Sequence, residues 1–126
     1  MIIGLLFMVA LVMLLFFPVV KVNGDSMVPI LRHGDILLSK RIFNKNGCVE
    51  GKIYVYKPPY DKKSCVIKIL NHKEGEMYFF IGGNLEVSVD SRHYGGIASE
   101  NIVAEIIDSR FWRFFITPFS RAKNER

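Results

Sequence analysis

The chain has 126 residues, 17 Lys and Arg against 12 Asp and Glu, and a hydrophobic fraction of 50%, enough for one domain with one modest core. Its formal charge of +5 is spread among the acids with no recognisable nucleic-acid motif, so no nucleic-acid partner is expected, and attraction to anionic lipid headgroups accounts for the excess at least as well. The two cysteines, Cys48 and Cys65, make neither a metal site nor a dense disulfide framework; no metal or other cofactor is expected.

Ile2 to Phe17 is continuously apolar, and Pro18, Val19 and Val20 carry the run on to Lys21, about the ~20 residues a helix needs to cross hydrocarbon. Residues 1–20 are therefore expected to form a single transmembrane anchor. A cleaved signal peptide is the rival reading, but the run lacks a basic leading region and an Ala-x-Ala-like site before Lys21. The flank after the run is more basic than the flank before it, which by the charge rule tends to hold the body inside the cell.

Residues 21–126 then make the body, and its short apolar segments separated by Gly, Pro and Asn are a β signature. Strands are predicted at Val19–Val22, Asp35–Ile42, Lys52–Tyr56, Cys65–Leu70, Met77–Ile81 and Ile102–Ile107. Turns are predicted at Asn44–Gly51, Lys57–Lys63, Asn71–Glu76 and Gly82–Leu85. The closing stretch 110–119 is aromatic with Arg113 inside it, a composition suited either to the lipid–water interface or to packing on the β core.

Three places in this body carry chemistry. Gly24-Asp25-Ser26 is followed by Pro29 and Gly34, so Ser26 falls on a tight bend just after the apolar run, either as a turn residue or as a nucleophile. A serine hydroxyl needs a base within hydrogen-bond reach. His33, His72 and His93 all fall in polar settings and read as surface residues. Lys68 differs: within Val66-Ile67-Lys68-Ile69-Leu70, strand alternation gives it apolar neighbours on its own face, which lowers a lysine pKa unless the side chain snorkels out from an edge. Finally, Ser88, Asp90 and Arg92 alternate, so an extended segment would place them on one face, where the carboxylate and guanidinium can pair.

Taken together, Gly24-Asp25-Ser26-Met27-x-Pro29-x-Leu31-x-x-Gly34-Asp35, Gly51-Lys52-Ile53-Tyr54-Val55-Tyr56 with Pro58, Lys68, and Gly82-x-Asn84 with Ser88-x-Asp90-Ser91-Arg92 and Gly95 resemble the type I signal peptidases (leader peptidases). These are membrane-anchored serine proteases with a Ser-Lys dyad. The resemblance runs over nearly the whole length. It implies a mainly β, signal-peptidase-like catalytic domain behind the anchor, with Ser26 as nucleophile and Lys68 as general base. It further implies Ser88 holding the amine, with Asp90 and Arg92 supporting it, and Val22, Asn23, Gly24, Asp25 and Met27 along the bound substrate. The implied partners are preprotein signal peptides, cut after small Ala-x-Ala-like residues, and the lipid bilayer. The implied location is the cell membrane, single-pass, with the catalytic domain outside the cytoplasm.

The sequence departs from the family at several points. Ile30 replaces a usual Thr, Ile69 a usual Arg and Gly83 a usual Asp, and the turn after the base reads His72-Lys73-Glu74-Gly75-Glu76. Gly24 stands where many members carry a second serine for the oxyanion, which shifts that role to the backbone N–H of Ser26. Three other readings stand beside this one: a dedicated peptidase of a conjugation or pilin-type system, a self-cleaving Ser-Lys regulator, and an inactive peptide-binding membrane domain.

Overall fold

The computed structural model describes residues 1–43 and 47–107; the aromatic stretch at 110–119 lies outside the described residues. The apolar N-terminus folds into helix α1, Ile2–Phe16. It has no polar face, and none of its residues is buried. Its 15 residues rise about 22 Å at ~1.5 Å each, short of the ~30 Å of hydrocarbon a span must cover. Among the described residues no helix is long and apolar enough to cross a membrane. Of the expected anchor over 1–20, the helix itself takes only Ile2–Phe16. Proline disfavours helical backbone in the residue before it, Phe17 has already left the helix with φ −128° and ψ 69°, and residues 19–21 are drawn into a sheet.

That sheet comprises β1 (Val19–Lys21), β2 (Ile36–Arg41), β3 (Ile53–Tyr56), β4 (Val66–Glu74), β5 (Met77–Ile81), β6 (Ile97–Ala98) and β7 (Ile102–Ile106). The spatial order is β1-β2-β7-β3-β4-β5-β6, and the neighbours run antiparallel. A one-turn helix α2, Ser91–Tyr94, and a 3-10 turn, Ser99–Asn101, lie before and after β6. The curled sheet buries apolar residues on both faces. Val22, Met27, Leu31, Leu37, Val55, Ala104 and Ile106 form one core; Tyr54, Tyr56, Leu70, Tyr78, Phe80, Ile97 and Ile102 form the other. Strand alternation explains the split, since Val55 must point away from Tyr54 and Tyr56.

The mainly β expectation holds, with differences where pairing overrides local pattern. β4 runs through the expected turn at Asn71 to Glu74, because β5 pairs with it as far as Glu74↔Met77. The reversal falls instead at Gly75, whose φ of +58° is the left-handed backbone that glycine adopts without strain. Ser88, Asp90 and Arg92 do not lie on an extended strand. Asp90 is the N-cap of α2, with its side chain accepting from Arg92 N and its own N–H donating to His93 Nδ1. β6, only two residues long, escaped the sequence reading.

Candidate active site

The bend carrying Ser26 is closed at its base by backbone pairing. Val22 N donates to Asp35 O at 2.9 Å, and Gly34 N donates to Val22 O at 2.8 Å. Gly24 turns the chain at φ +86°, and its N–H donates to His33 Nδ1 at 2.9 Å. Met27 and Leu31 anchor the far side of the bend in the first core at 1% and 0% exposure, and Leu31 N bonds Met27 O at 2.9 Å. Here apolar side chains hold a polar turn in one place, so that Ser26 is presented rather than free to wander.

The Gly82–Asn84 turn after β5 locks the bend from a second side. Asn84 N donates to Ser26 O at 2.8 Å and Asn84 Nδ2 to Asp25 O at 3.3 Å. The approach is close enough to require glycine. A Cβ on Gly82 would lie 2.1 Å from Ser88 Oγ and 2.6 Å from Ser26 O, and one on Gly83 2.9 Å from Met27 O.

Lys68 comes from the middle of β4, directly across from Tyr54 on β3, and is 5% exposed. Its Nζ lies 2.7 Å from Ser26 Oγ, although the two residues are 42 positions apart. Among the described residues no carboxylate forms an ion pair with it. Burial pushes its pKa below the usual lysine range; the charge of Asp90 opposes that shift and the charge of Arg92 adds to it. Burial thus makes the neutral amine easier to reach, and a neutral amine can accept the proton of a hydroxyl.

Asp90 organises the ground behind this pair. Its fully buried carboxylate accepts from Ser88 Oγ at 2.8 Å, Gly82 N at 3.0 Å, Arg92 Nε at 2.8 Å, Arg92 Nη2 at 3.0 Å and Arg92 N at 3.1 Å. Burial alone would raise its pKa. The hydrogen bonds from Arg92, Gly82 and Ser88 outweigh that and hold the carboxyl well below the usual range. Arg92 is tied in turn to Leu85 O at 2.9 Å and Ser88 O at 3.3 Å. Ser88 therefore donates to Asp90, and among the described residues no hydrogen bond joins it to Lys68. Ser88 is thus held on the carboxylate behind the pair, and a hydroxyl that donates there keeps lone pairs for the amine that the sequence reading assigned to it.

Ser26 and Lys68 share a groove of about 140 Å³ with Lys21, Val22 and Asn23 on one wall and Cys65, Val66 and Ile67 on the other. Because Val22 directs its N–H and C=O towards Asp35 and Gly34, strand alternation turns those of Lys21 and Asn23 the other way. β1 is an edge strand, so among the described residues no strand pairs with that side. Of the expected substrate contacts, Val22, Asn23 and Met27 line the groove, while Gly24 and Asp25 do not. The Cys65–Ile67 wall escaped the sequence reading, although it immediately precedes Lys68. So did His33 as a clamp on Gly24, since its spacing from Ser26 carries no sign of that contact.

Among the described residues no disulfide joins Cys48 and Cys65. Among the described residues no group of three His, Cys, Asp or Glu could hold a metal ion. None of the three histidines hydrogen-bonds to Ser26: His33 accepts from Gly24, His72 stacks on Phe79, and His93 closes the cap of α2. Comparison with known proteins found no matching family model and no matching curated relative.

Proposed function

We propose that the chain is a membrane-attached serine endopeptidase of the signal peptidase I type, removing signal peptides from exported preproteins after small Ala-x-Ala-like residues. The observation that carries this reading is the 2.7 Å contact between Ser26 Oγ and a buried Lys68 amine that has no carboxylate partner among the described residues. Neutral Lys68 takes the proton from Ser26 as Oγ attacks the scissile carbonyl, and the ammonium then gives that proton to the departing amine. Water, deprotonated by the same lysine, releases the acyl group.

Ser26 N–H has no acceptor among the described residues and is the donor available to the oxyanion. Asp90 and Arg92 act at one remove, by fixing Ser88 and Gly82 against the Ser26 bend. The substrate enters as an added strand on the free edge at Lys21 and Asn23. α1, apolar on every side and exposed, attaches the domain to the cell membrane, with the body outside the cytoplasm where signal-peptide cleavage sites emerge.

The test is to incubate the detergent-solubilised protein with a preprotein and to sequence the new N-terminus of the product. A single cut after a small residue is expected. Ser26→Ala and Lys68→Ala should each lose it by about 10^4-fold or more while staying folded, since the two groups act as one unit. Retained turnover in Lys68→Ala refutes the dyad. Protease added to spheroplasts should digest the body without breaching the membrane; digestion only after lysis places it on the wrong side.

A further inference from the structure

Backbone pairing ties the two arms of the Ser26 bend together at Val22, and the next rung of that ladder is made by a side chain. Val22 N donates to Asp35 O and Gly34 N to Val22 O. Two residues on, where strand alternation returns the chain to the same side, Gly24 N donates to His33 Nδ1 at 2.9 Å. An imidazole nitrogen has replaced the backbone carbonyl that continued pairing would supply. Because the donor is a backbone N–H, Nδ1 must carry a lone pair, so this contact requires the neutral ring with its proton on Nε2.

What the contact fixes is one peptide plane. The Asn23–Gly24 bond is trans, so its N–H and C=O point in opposite directions. Holding Gly24 N–H against His33 therefore aims the Asn23 carbonyl the other way, to the side of the groove that Asn23 lines with Ser26 and Lys68. That carbonyl accepts no hydrogen bond among the described residues. Packing does little to keep the plane where it is. Asn23, Gly24 and Asp25 are exposed, and a Cβ on Gly24 would meet nothing within 4 Å. Glycine also takes φ of either sign, so backbone sterics do not oppose a flip of this peptide. Asn84 holds the carbonyls of Asp25 and Ser26, but the Asn23–Gly24 peptide lies beyond its reach and is left to His33.

We propose that His33 is a positioning residue for the substrate: it latches the Asn23–Gly24 peptide so that the Asn23 carbonyl accepts an N–H from the peptide strand entering the groove. The inference rests on the reading of Ser26 and Lys68 as a peptidase dyad. His33 acts through Gly24 and takes no proton from Ser26. The partner it selects is an extended backbone rather than a particular side chain, because a carbonyl on a strand edge meets an amide N–H whatever residue carries it. With the plane flipped, the groove would present Gly24 N–H to the incoming strand in place of that acceptor, and donor would face donor.

The experiment measures kcat and KM of the full chain in detergent on a peptide spanning a signal-peptide cleavage site, for wild type, His33→Leu and His33→Asn. Asparagine Oδ1 stands at the same position from Cβ as histidine Nδ1 and can accept from Gly24 N–H, whereas leucine has no acceptor. His33→Leu should raise KM about tenfold with kcat within about twofold of wild type, the size of one hydrogen bond lost from binding. His33→Asn should bring KM back to within about twofold of wild type. Single N-methyl groups placed in turn on the substrate amides should then find one position where methylation raises KM about tenfold in wild type and in His33→Asn but adds little in His33→Leu, where the bond is already lost. The urea midpoint should be the same for all three proteins. If leucine lowers it, His33→Ala takes its place, since alanine also removes the acceptor and adds nothing bulky to an exposed site.

Three results overturn the latch while leaving the dyad standing: a wild-type KM in His33→Leu, a His33→Asn variant as impaired as His33→Leu, or methylation costs that are the same in wild type and His33→Leu at every position. A loss confined to kcat overturns it too, because it would place His33 in the chemistry of Ser26 and not in the holding of the strand. If wild type cleaves no signal-peptide substrate at all, the peptidase reading falls and the latch with it.

Discussion

Replacing Asp90 by Asn separates what this residue does for the fold from what it does to Lys68. In the native protein both carboxylate oxygens are occupied: Oδ1 accepts from Arg92 N and Nε, and Oδ2 from Gly82 N, Ser88 Oγ and Arg92 Nη2. Asparagine keeps one acceptor oxygen and turns an NH2 group against the donors on the other side. The Ser88 hydroxyl can rotate to accept from it, but the buried Gly82 N–H cannot, and an unsatisfied buried donor costs about 1–3 kcal/mol. Arg92 is 41% exposed, so losing its ion pair adds little, and the expected destabilisation at neutral pH is set by the buried donor, about 1–3 kcal/mol. That is a measurable part of the ~5–15 kcal/mol that holds a domain together.

The pH dependence has a definite sign. Asp90 has a folded pKa below its ordinary value of 3.8, so it contributes stability above that value and loses it as pH falls through the folded pKa. The gap between wild type and Asp90→Asn should therefore be full at neutral pH and narrow below about pH 3.8. Kinetics move separately, because the charge of Asp90 raises the Lys68 pKa. Without that charge the acid limb of the pH–rate profile should shift to lower pH. Urea unfolding followed by near-UV circular dichroism of the buried tyrosines reads the first effect, and kcat/KM against pH on a preprotein reads the second. A variant within about 0.5 kcal/mol of wild type, the scatter of an ordinary surface substitution, refutes the structural role; an acid limb moved to higher pH refutes the electrostatic one.

Three further outcomes are expected. Lys68→Met should be inactive yet no less stable than wild type. The folded pKa of Lys68 lies below its ordinary 10.5, so wild-type stability rises with pH from the folded pKa up to that value, and the variant should lack this rise in an unfolding series across pH. Gly82→Ala should lose activity and about 1–3 kcal/mol of stability or more, the cost of overpacking, because its Cβ would lie 2.6 Å from Ser26 O; a fully active alanine variant would show that the turn does not set the nucleophile's position. Cleavage should be indifferent to EDTA, and a loss of rate restored by added zinc would replace the lysine mechanism with a metal one.

Much of this protein is local in origin and so could be read from the chain. The alternation of apolar and polar residues marks most of the strands, because a half-buried strand has to repeat every two residues. Glycine and proline mark most of the turns. Ser26 and Lys68 were legible as a pair of candidates, since a serine on a Gly-Asp bend and a lysine inside an apolar strand are each unusual in type. The register that brings these two residues within 2.7 Å of each other was not legible. It arises because β4 pairs between β3 and β5 while the bend is pinned by Met27, Leu31 and Asn84.

The errors also have a common physical cause. Composition alone extended the N-terminal apolar run to Val20, but Pro18 and the pairing of β1 with β2 end the helix at Phe16, because a backbone that gains a sheet partner has no reason to remain helical. Period-two spacing alone placed Ser88, Asp90 and Arg92 on one strand face. The tertiary structure made Asp90 a helix cap, because a buried carboxylate needs several donors, and a cap with Gly82, Ser88 and Arg92 around it supplies them. The chain by itself thus determines which residues are candidates for chemistry and which segments can be strands. Only the folded structure decides which donor satisfies which acceptor, since those partners lie far apart along the chain and are selected by the burial they share.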